Sequence, residues 1–324
     1  MQKPERGRNK MNERQEKTWN ERDEVEWLKY TVQPPMGVIK GEYYHAERRF
    51  GGNDWSEGHL GELTVVKGDD GKLIFVEFNE TAMEGYYNQY FDSVSKRRSD
   101  YGIWQASAKR QADAGVVLTD GMLHIEKQIM ESQSLDKEFD LLTGASNSMR
   151  GLLPLAKELA EEIQNPSSRR YYSAAENFGY GISGWLQVVV ENGRILSCFY
   201  DEIFADTQEE IWYPELKRYY KQSKYHSPCF EEPNIPGWKN HGFFIGFRKL
   251  MDILNKQIVE RQDLFDIDGL KHVDGMNAGA IWNRHAESED PIGGCGSPIR
   301  YPVWDNYLKL AEMIQKEIDR ERRE

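Results

Sequence analysis

The chain has 324 residues, 42 Lys+Arg against 54 Asp+Glu, and a formal net charge of −12. That acidic surface repels phosphate backbones and argues against a nucleic-acid partner, while 9 Trp and 17 Tyr argue against a disordered chain. The length suffices for two ordinary domains, each with its own core.

Residues 1–35 are dense in Arg, Lys and Glu, with Trp19, Val25, Trp27 and Leu28 the main apolar members. The pattern predicts a charged N-terminal helical extension with one weak apolar stripe, ended by Pro34-Pro35. This stretch has no apolar core of a secretory signal. The longest apolar run, around Gly242 to Phe247, falls far short of the ~20 residues needed to cross a bilayer. The expectation is a cytoplasmic chain without membrane insertion, and an extracytoplasmic one if the true start lies upstream.

Two β-rich runs follow, Gly58-His-Leu-Gly-Glu-Leu-Thr-Val-Val and Gly71-Lys-Leu-Ile-Phe-Val-Glu-Phe, joined by Gly68-Asp-Asp-Gly71. The same pattern returns as Gly181-Ile-Ser-Gly-Trp-Leu-Gln-Val-Val and Gly193-Arg-Ile-Leu-Ser-Cys-Phe-Tyr, joined by Glu191-Asn-Gly193. Asp-Gly and Asn-Gly between such runs are strong hairpin signals. A second pair of matching stretches lies downstream. Lys127-Gln-Ile with Glu131 and Gln133 corresponds to Lys256-Gln-Ile with Glu260 and Gln262, each at helical spacing. Each copy closes in a helix, 152–163 and 304–318, and Asn165-Pro-Ser-Ser168 reads as the linker. The fold class expected is α+β, with two tandem repeats, each a twisted, mainly antiparallel sheet with flanking helices. The domains expected are residues 1–35, 36–165 and 166–324.

Between the helical patterns of the first copy lies Asp140-Leu-Leu-Thr-Gly-Ala-Ser-Asn-Ser148, running into Met149-Arg-Gly-Leu-Leu-Pro-Leu-Ala. Gly144 and Ala145 let a ligand approach the backbone closely. Ser146, Asn147 and Ser148 suit the start of a helix, whose first N–H groups and positive dipole end favour a phosphate. The same residues also make an ordinary capped helix. Asp140, Thr143, Gly144, Ala145 and Ser146 resemble the flavinylation motif, Asp-x-x-Ser/Thr-Gly-Ala-Thr/Ser, of FMN-binding domains. Such domains occur in subunits of the sodium-pumping NADH:quinone reductase and Rnf complexes and in tandem-domain electron-transfer lipoproteins. Asn79-Glu-Thr-Ala-Met-Glu-Gly85 is similar to the family's Glu-Thr-Pro-Gly-x-Gly stretch near the flavin.

The resemblance implies FMN as cofactor, esterified through its phosphate to Ser146 by an FMN transferase of the ApbE type using FAD. It implies a cofactor-binding set of Asp140, Thr143, Gly144, Ala145, Ser146, Asn147, Ser148, Glu80 and Thr81, and no catalytic residue. The expected activity is electron transfer, with a redox partner protein or membrane reductase exchanging electrons. Serine stands where the family prefers threonine, and Ala82 and Met83 replace its Pro and Gly. In the second copy Ile281 stands where Ser146 stands, so no ester can form there. Two other readings remain open: a non-flavinylated scaffold of the same fold, and a flavin-dependent reductase of a small molecule.

Tyr86, Tyr87, Tyr101 and Trp104 are candidates to flank the flavin ring, or core aromatics. Lys96, Arg97 and Arg98 are candidates to neutralise its phosphate, or a solvated face. His59, His124, His226, His241, His272 and His285 show no ligand spacing. Cys198, Cys229 and Cys295 fit neither a zinc site nor a disulfide framework and are expected to be buried thiols.

Overall fold

The structure is a computed structural model that describes residues 28–54, 56–87, 93–107, 116–142, 146–228, 247–268, 270 and 303–323, with the backbone alone at 146–149, 215 and 303. Six strands form one antiparallel sheet in the order β3-β2-β1-β4-β5-β6. They are β1 (Gly37–Phe50), β2 (His59–Lys67), β3 (Leu73–Thr81), β4 (Arg169–Gly179), β5 (Ile182–Glu191) and β6 (Arg194–Phe204). Among the described residues five α-helices accompany them: α1 (Tyr101–Ser107), α2 (Leu118–Ser132), α3 (Ser146–Glu162), α4 (Phe247–Arg261) and α5 (Val303–Glu321). The class is therefore α+β, and the two sets of three strands share a single sheet.

The chain falls into two compact units. Among the described residues the first holds 28–31 and those of 45–65 and 76–165, and the second holds 32–44, 66–75 and those from 166 onward. The break after Asn165 lies in the Asn-Pro-Ser-Ser linker.

The hairpin signals form as the turn chemistry requires. Asn192 and Gly193 both have positive φ, 51° and 77°, the combination of a type I′ turn, whose twist matches that of the strands. At the other hairpin the Gly68 N–H donates to the Lys72 carbonyl at 2.8 Å, and the Gly71 N–H to that of Gly68 at 2.8 Å. β1 joins β4 by pairs running from Gly37 with Ala175 to Glu42 with Arg170.

The expected N-terminal helix falls mostly on residues 1–27, outside the described part. Residues 28–35 are not helical. The Val32 N–H donates to Asp206 Oδ1 at 3.1 Å, and Gln33 Nε2 to the Phe204 carbonyl at 2.7 Å. Those partners lie some 170 residues away, so local charge patterning carries no trace of them.

Several local structures occur twice. Lys127–Glu131 on α2 and Lys256–Glu260 on α4 are i,i+4 pairs at 3.7 Å each. Both helices run into a glutamine in the left-handed region, Gln133 (φ 56°) and Gln262 (φ 60°). Each glutamine side chain donates to a last-turn carbonyl, Met130 at 2.7 Å and Val259 at 2.6 Å. These bonds satisfy acceptors that the helix end leaves open and help a non-glycine residue hold that conformation.

In the first unit the core includes Leu63, Val65, Phe78, Met122, Ile125, Ile129, Leu152, Leu155 and Leu159. Two glycines, Gly61 on β2 and Gly151 on α3, make room for the Phe50 and Phe78 rings. A Cβ at Gly151 would lie 2.8 Å from Phe50 Cε1 and 3.0 Å from Phe78 Cζ, and one at Gly61 3.1 Å from Phe50 Cε1. The first turns of α3 therefore rest directly on the Phe50 and Phe78 rings.

Candidate functional site

Ser146 is the first residue of α3, a 17-residue helix, and Asn147 and Ser148 follow in its first turn. The side chains of these three lie outside the described part, as do Thr143, Gly144 and Ala145 altogether. The backbone alone fixes one property. The first helical turn has N–H groups without intrahelical acceptors and carries the positive end of the dipole.

The approach to this turn is tethered. The Asp140 N–H donates to Gln128 Oε1 at 2.9 Å, and Gln128 Nε2 donates back to the Asp140 carbonyl at 2.8 Å. One side chain on α2 thus satisfies both backbone groups of Asp140. Its carboxylate is left exposed at 86%, 3.7 Å from His124 Nε2.

Glu80 and Thr81 end β3. The Thr81–Ser95 bridge and the Lys96 N–H, which donates to the Glu80 carbonyl at 2.7 Å, bring the following segment back along the strand. Lys96 Nζ meets Glu80 Oε1, with both side chains fully buried. Burial pushes the Glu80 carboxyl up and the Lys96 ammonium down, each against the pull of its partner. Glu80 Oε2 is buried without a hydrogen-bond partner among the described residues.

His59 lies beside this pair. Its Nδ1 accepts the Met83 N–H at 2.9 Å and stands 3.8 Å from Glu80 Oε1. Burial, and then the Lys96 charge, lower its pKa to about 4, so the ring is neutral near pH 7 and carries its proton on Nε2. It meets the Tyr86 ring edge-on, centroids 4.8 Å apart.

Of the four aromatics singled out from the sequence, Tyr86 reaches solvent at 37% exposure, and Tyr87 and Tyr101 are core. Lys96 Nζ stands 4.9 Å from the Tyr86 centroid and 5.1 Å from that of Tyr101, within cation–π range. Tyr87 donates its hydroxyl proton to Asp100 and packs on Trp104 at 4.9 Å.

The basic run is neither a phosphate clamp nor a solvated face. Arg97 donates to both Glu126 oxygens, at 2.6 and 3.1 Å, and to the Phe78 carbonyl at 3.0 Å. Arg98 is forked onto Glu77, and all three cations are at most 7% exposed. Their partners come from β3 and α2, beyond the reach of a local reading, and a buried cation needs such partners to be tolerated.

The second unit repeats the Glu–Lys arrangement. Lys224 pairs with Glu202 in the interior, and the Lys224 N–H donates to the Glu202 carbonyl at 2.7 Å. Here the carboxylate is better satisfied, since Tyr200 Oη donates to Oε1 at 2.8 Å and Asn306 Nδ2 at 3.0 Å. The first unit has Phe78 at the place of Tyr200, two residues before the glutamate, and its carboxylate oxygen stays open.

Ile281 and the loop around it lie outside the described residues, as do Cys229 and Cys295. Cys198 is a buried thiol, and burial pushes its pKa up to about 12. No helix among the described residues is long and apolar enough to cross a membrane. No protein-family model matches the chain, and no curated protein or solved structure matches it.

Sequence reasoning missed a further group on β1 and β2. One donor atom each from His45, Glu47 and Glu62 lies within 4.8 Å of the other two. The signal that could have found it is His-x-Glu inside a β-run, because alternate residues of a strand share a face.

Proposed function

We propose that this chain is a flavoprotein electron carrier that holds FMN by its phosphate on Ser146. The observation that carries the reading is the position of Ser146 as first residue of α3, directly after a segment tied to α2 through Gln128 and Asp140. Chemically, the fit rests on two features. The open N–H groups of the first turn suit a phosphate ester, and Glu80 keeps a buried carboxylate oxygen without a protein partner among the described residues.

The residues then divide the work. The backbone of Ser146–Ser148 offsets the phosphate charge, since Lys96, Arg97 and Arg98 are committed to glutamates. Neutral His59 offers an Nε2 proton beside Tyr86, the half-exposed aromatic of the cluster. When bound, FMN supplies one- and two-electron redox chemistry, and the protein supplies its place and surroundings. An FMN transferase of the ApbE type is the proposed maturation partner, and a redox protein or membrane reductase the proposed electron partner. The recurrence of the Glu–Lys pair and of the glutamine-ended helices supports a duplication, with Ile281 leaving the second copy without an acceptor hydroxyl.

Intact mass spectrometry after co-expression with an FMN transferase tests the reading. The expected result is an increase of one FMN on the peptide containing Ser146, absent from S146A. An unmodified mass, or flavin that persists on the S146A protein after denaturation, would overturn it.

A further inference from the structure

The cluster of His45, Glu47 and Glu62 lies on the sheet face opposite Phe78 and Glu80 and plays no part in the flavin reading. His45 and Glu47 are alternate residues of β1, and Glu62 is on β2. Their donor atoms, one ring nitrogen and two carboxylate oxygens, lie within 4.8 Å of one another. Neighbouring side chains orient them. Thr64 Oγ1 is 3.1 Å from His45 Nδ1, and Asn79 Nδ2 donates to Glu62 Oε2 at 3.3 Å. Asn79 is itself held by Ser95, whose hydroxyl donates to Oδ1 at 2.6 Å.

The charges here are not balanced as they are next door. Glu77 is engaged by Arg98 and Arg97, whereas neither Glu47 nor Glu62 has a cationic partner within ion-pair distance among the described residues. Burial raises the pKa of the Glu62 carboxyl, Asn79 lowers it, and Glu47 and Glu77 raise it again.

Nor does the fold demand these side chains. Tyr43-Tyr-His-Ala-Glu47 is matched in the second half by Tyr171-Tyr-Ser-Ala-Ala175, and Glu62 by Trp185. Ser173, Ala175 and Trp185 are buried at 2%, 1% and 1% exposure. There the same face is closed by packing, while in the first half it carries three ligand-type groups, one of them exposed.

We propose that His45, Glu47 and Glu62 bind a first-row divalent transition-metal ion, with Zn2+ as the simplest case. One imidazole and two carboxylates suit such an ion, while Mg2+ and Ca2+ favour oxygen-only sets. Ligand distances of about 2.0–2.2 Å place donor atoms no more than roughly 4.4 Å apart. The exposed Glu47 closes the remaining gap by a small side-chain rotation. A bound cation cancels the repulsion between the two carboxylates, and three protein ligands leave a coordination position to water.

Calorimetric titration of the tag-free full chain with Zn2+, and with Mg2+ in parallel, tests the site. One Zn2+ per chain is expected, with Mg2+ binding far more weakly. E47Q, at an exposed position that folding tolerates, should weaken Zn2+ at least about 10-fold, a loss that even removal of an outer-shell partner causes. H45A and E62Q should weaken it further, with circular dichroism unchanged. No Zn2+ binding, affinity unchanged in both E47Q and H45A, or Mg2+ binding as tightly as Zn2+ would each overturn the assignment. Zn2+ affinity in S146A should equal that of the unsubstituted chain, because the site stands apart from the flavin.

Discussion

Lys96 Nζ and Glu80 Oε1 meet in an interior from which both side chains are excluded from solvent entirely. Glu80 has no described partner for its second oxygen, whereas Glu202, paired with Lys224, also accepts from Tyr200 and Asn306. Removing one member of a buried pair strands the other at a cost of about 3–5 kcal/mol. K96M should therefore destabilise by that amount, and K224M by less, since two donors still serve Glu202. Urea denaturation of the two variants checks the order, and equal losses would contradict it. The double variant E80Q/K96M should recover part of the K96M loss.

Gly151 is required by close approach. A Cβ there would meet Phe50 and Phe78 at 2.8 to 3.0 Å, distances that force ring or backbone to shift. G151A should destabilise by about 1–3 kcal/mol, the usual range for overpacking a core. It should also lower flavin incorporation at Ser146 by displacing the first turn of α3. Adding F50L should restore part of the stability, as read from thermal melts.

Stability should fall on mild acidification because of His59. Burial first, and Lys96 second, lower its folded pKa from 6.5 to about 4. The unfolded chain therefore binds this proton more readily. The contribution is present in full above pH ~6.5 and is lost as pH falls toward 4. At about 1.4 kcal/mol per pH unit it amounts to roughly 3 kcal/mol. H59N, which keeps an acceptor for the Met83 N–H, should flatten the profile between pH 6.5 and 4. Denaturation midpoints at pH 7.5 and 4.5 provide the comparison.

Gln128 holds both backbone groups of Asp140 at an exposed site. Q128A should cost only about 1 kcal/mol, the net worth of ordinary hydrogen bonds near water. It should nonetheless slow flavinylation several-fold, because the loop leading into Ser146 loses its anchor. Flavin fluorescence in denaturing gels after a timed reaction with the transferase measures the rate. An unchanged rate would show that the tether plays no part in presenting the acceptor.

Local chemistry wrote some of this molecule plainly. Asn192-Gly193 required a tight hairpin, because two consecutive positive φ angles are tolerated there and few residues tolerate them. Apolar spacing marked helical stretches around Ile125–Ile129 and Ile253–Ile258 and a helix over 152–163, which in the structure begins at Ser146, and the recurrence of Lys127–Glu131–Gln133 as Lys256–Glu260–Gln262 was legible in one dimension. Ser146 at a helix start is of the same kind. The tertiary structure decided what depends on distant partners. It alone placed β1 beside β4 to join two three-stranded sets, and it turned Lys96-Arg-Arg98 from an exposed basic run into three buried ion pairs. It alone brought His45 and Glu47 to Glu62. Turns and caps are settled within a few residues by backbone sterics, whereas the state of a charge depends on which opposite charge the fold brings within a few ångströms.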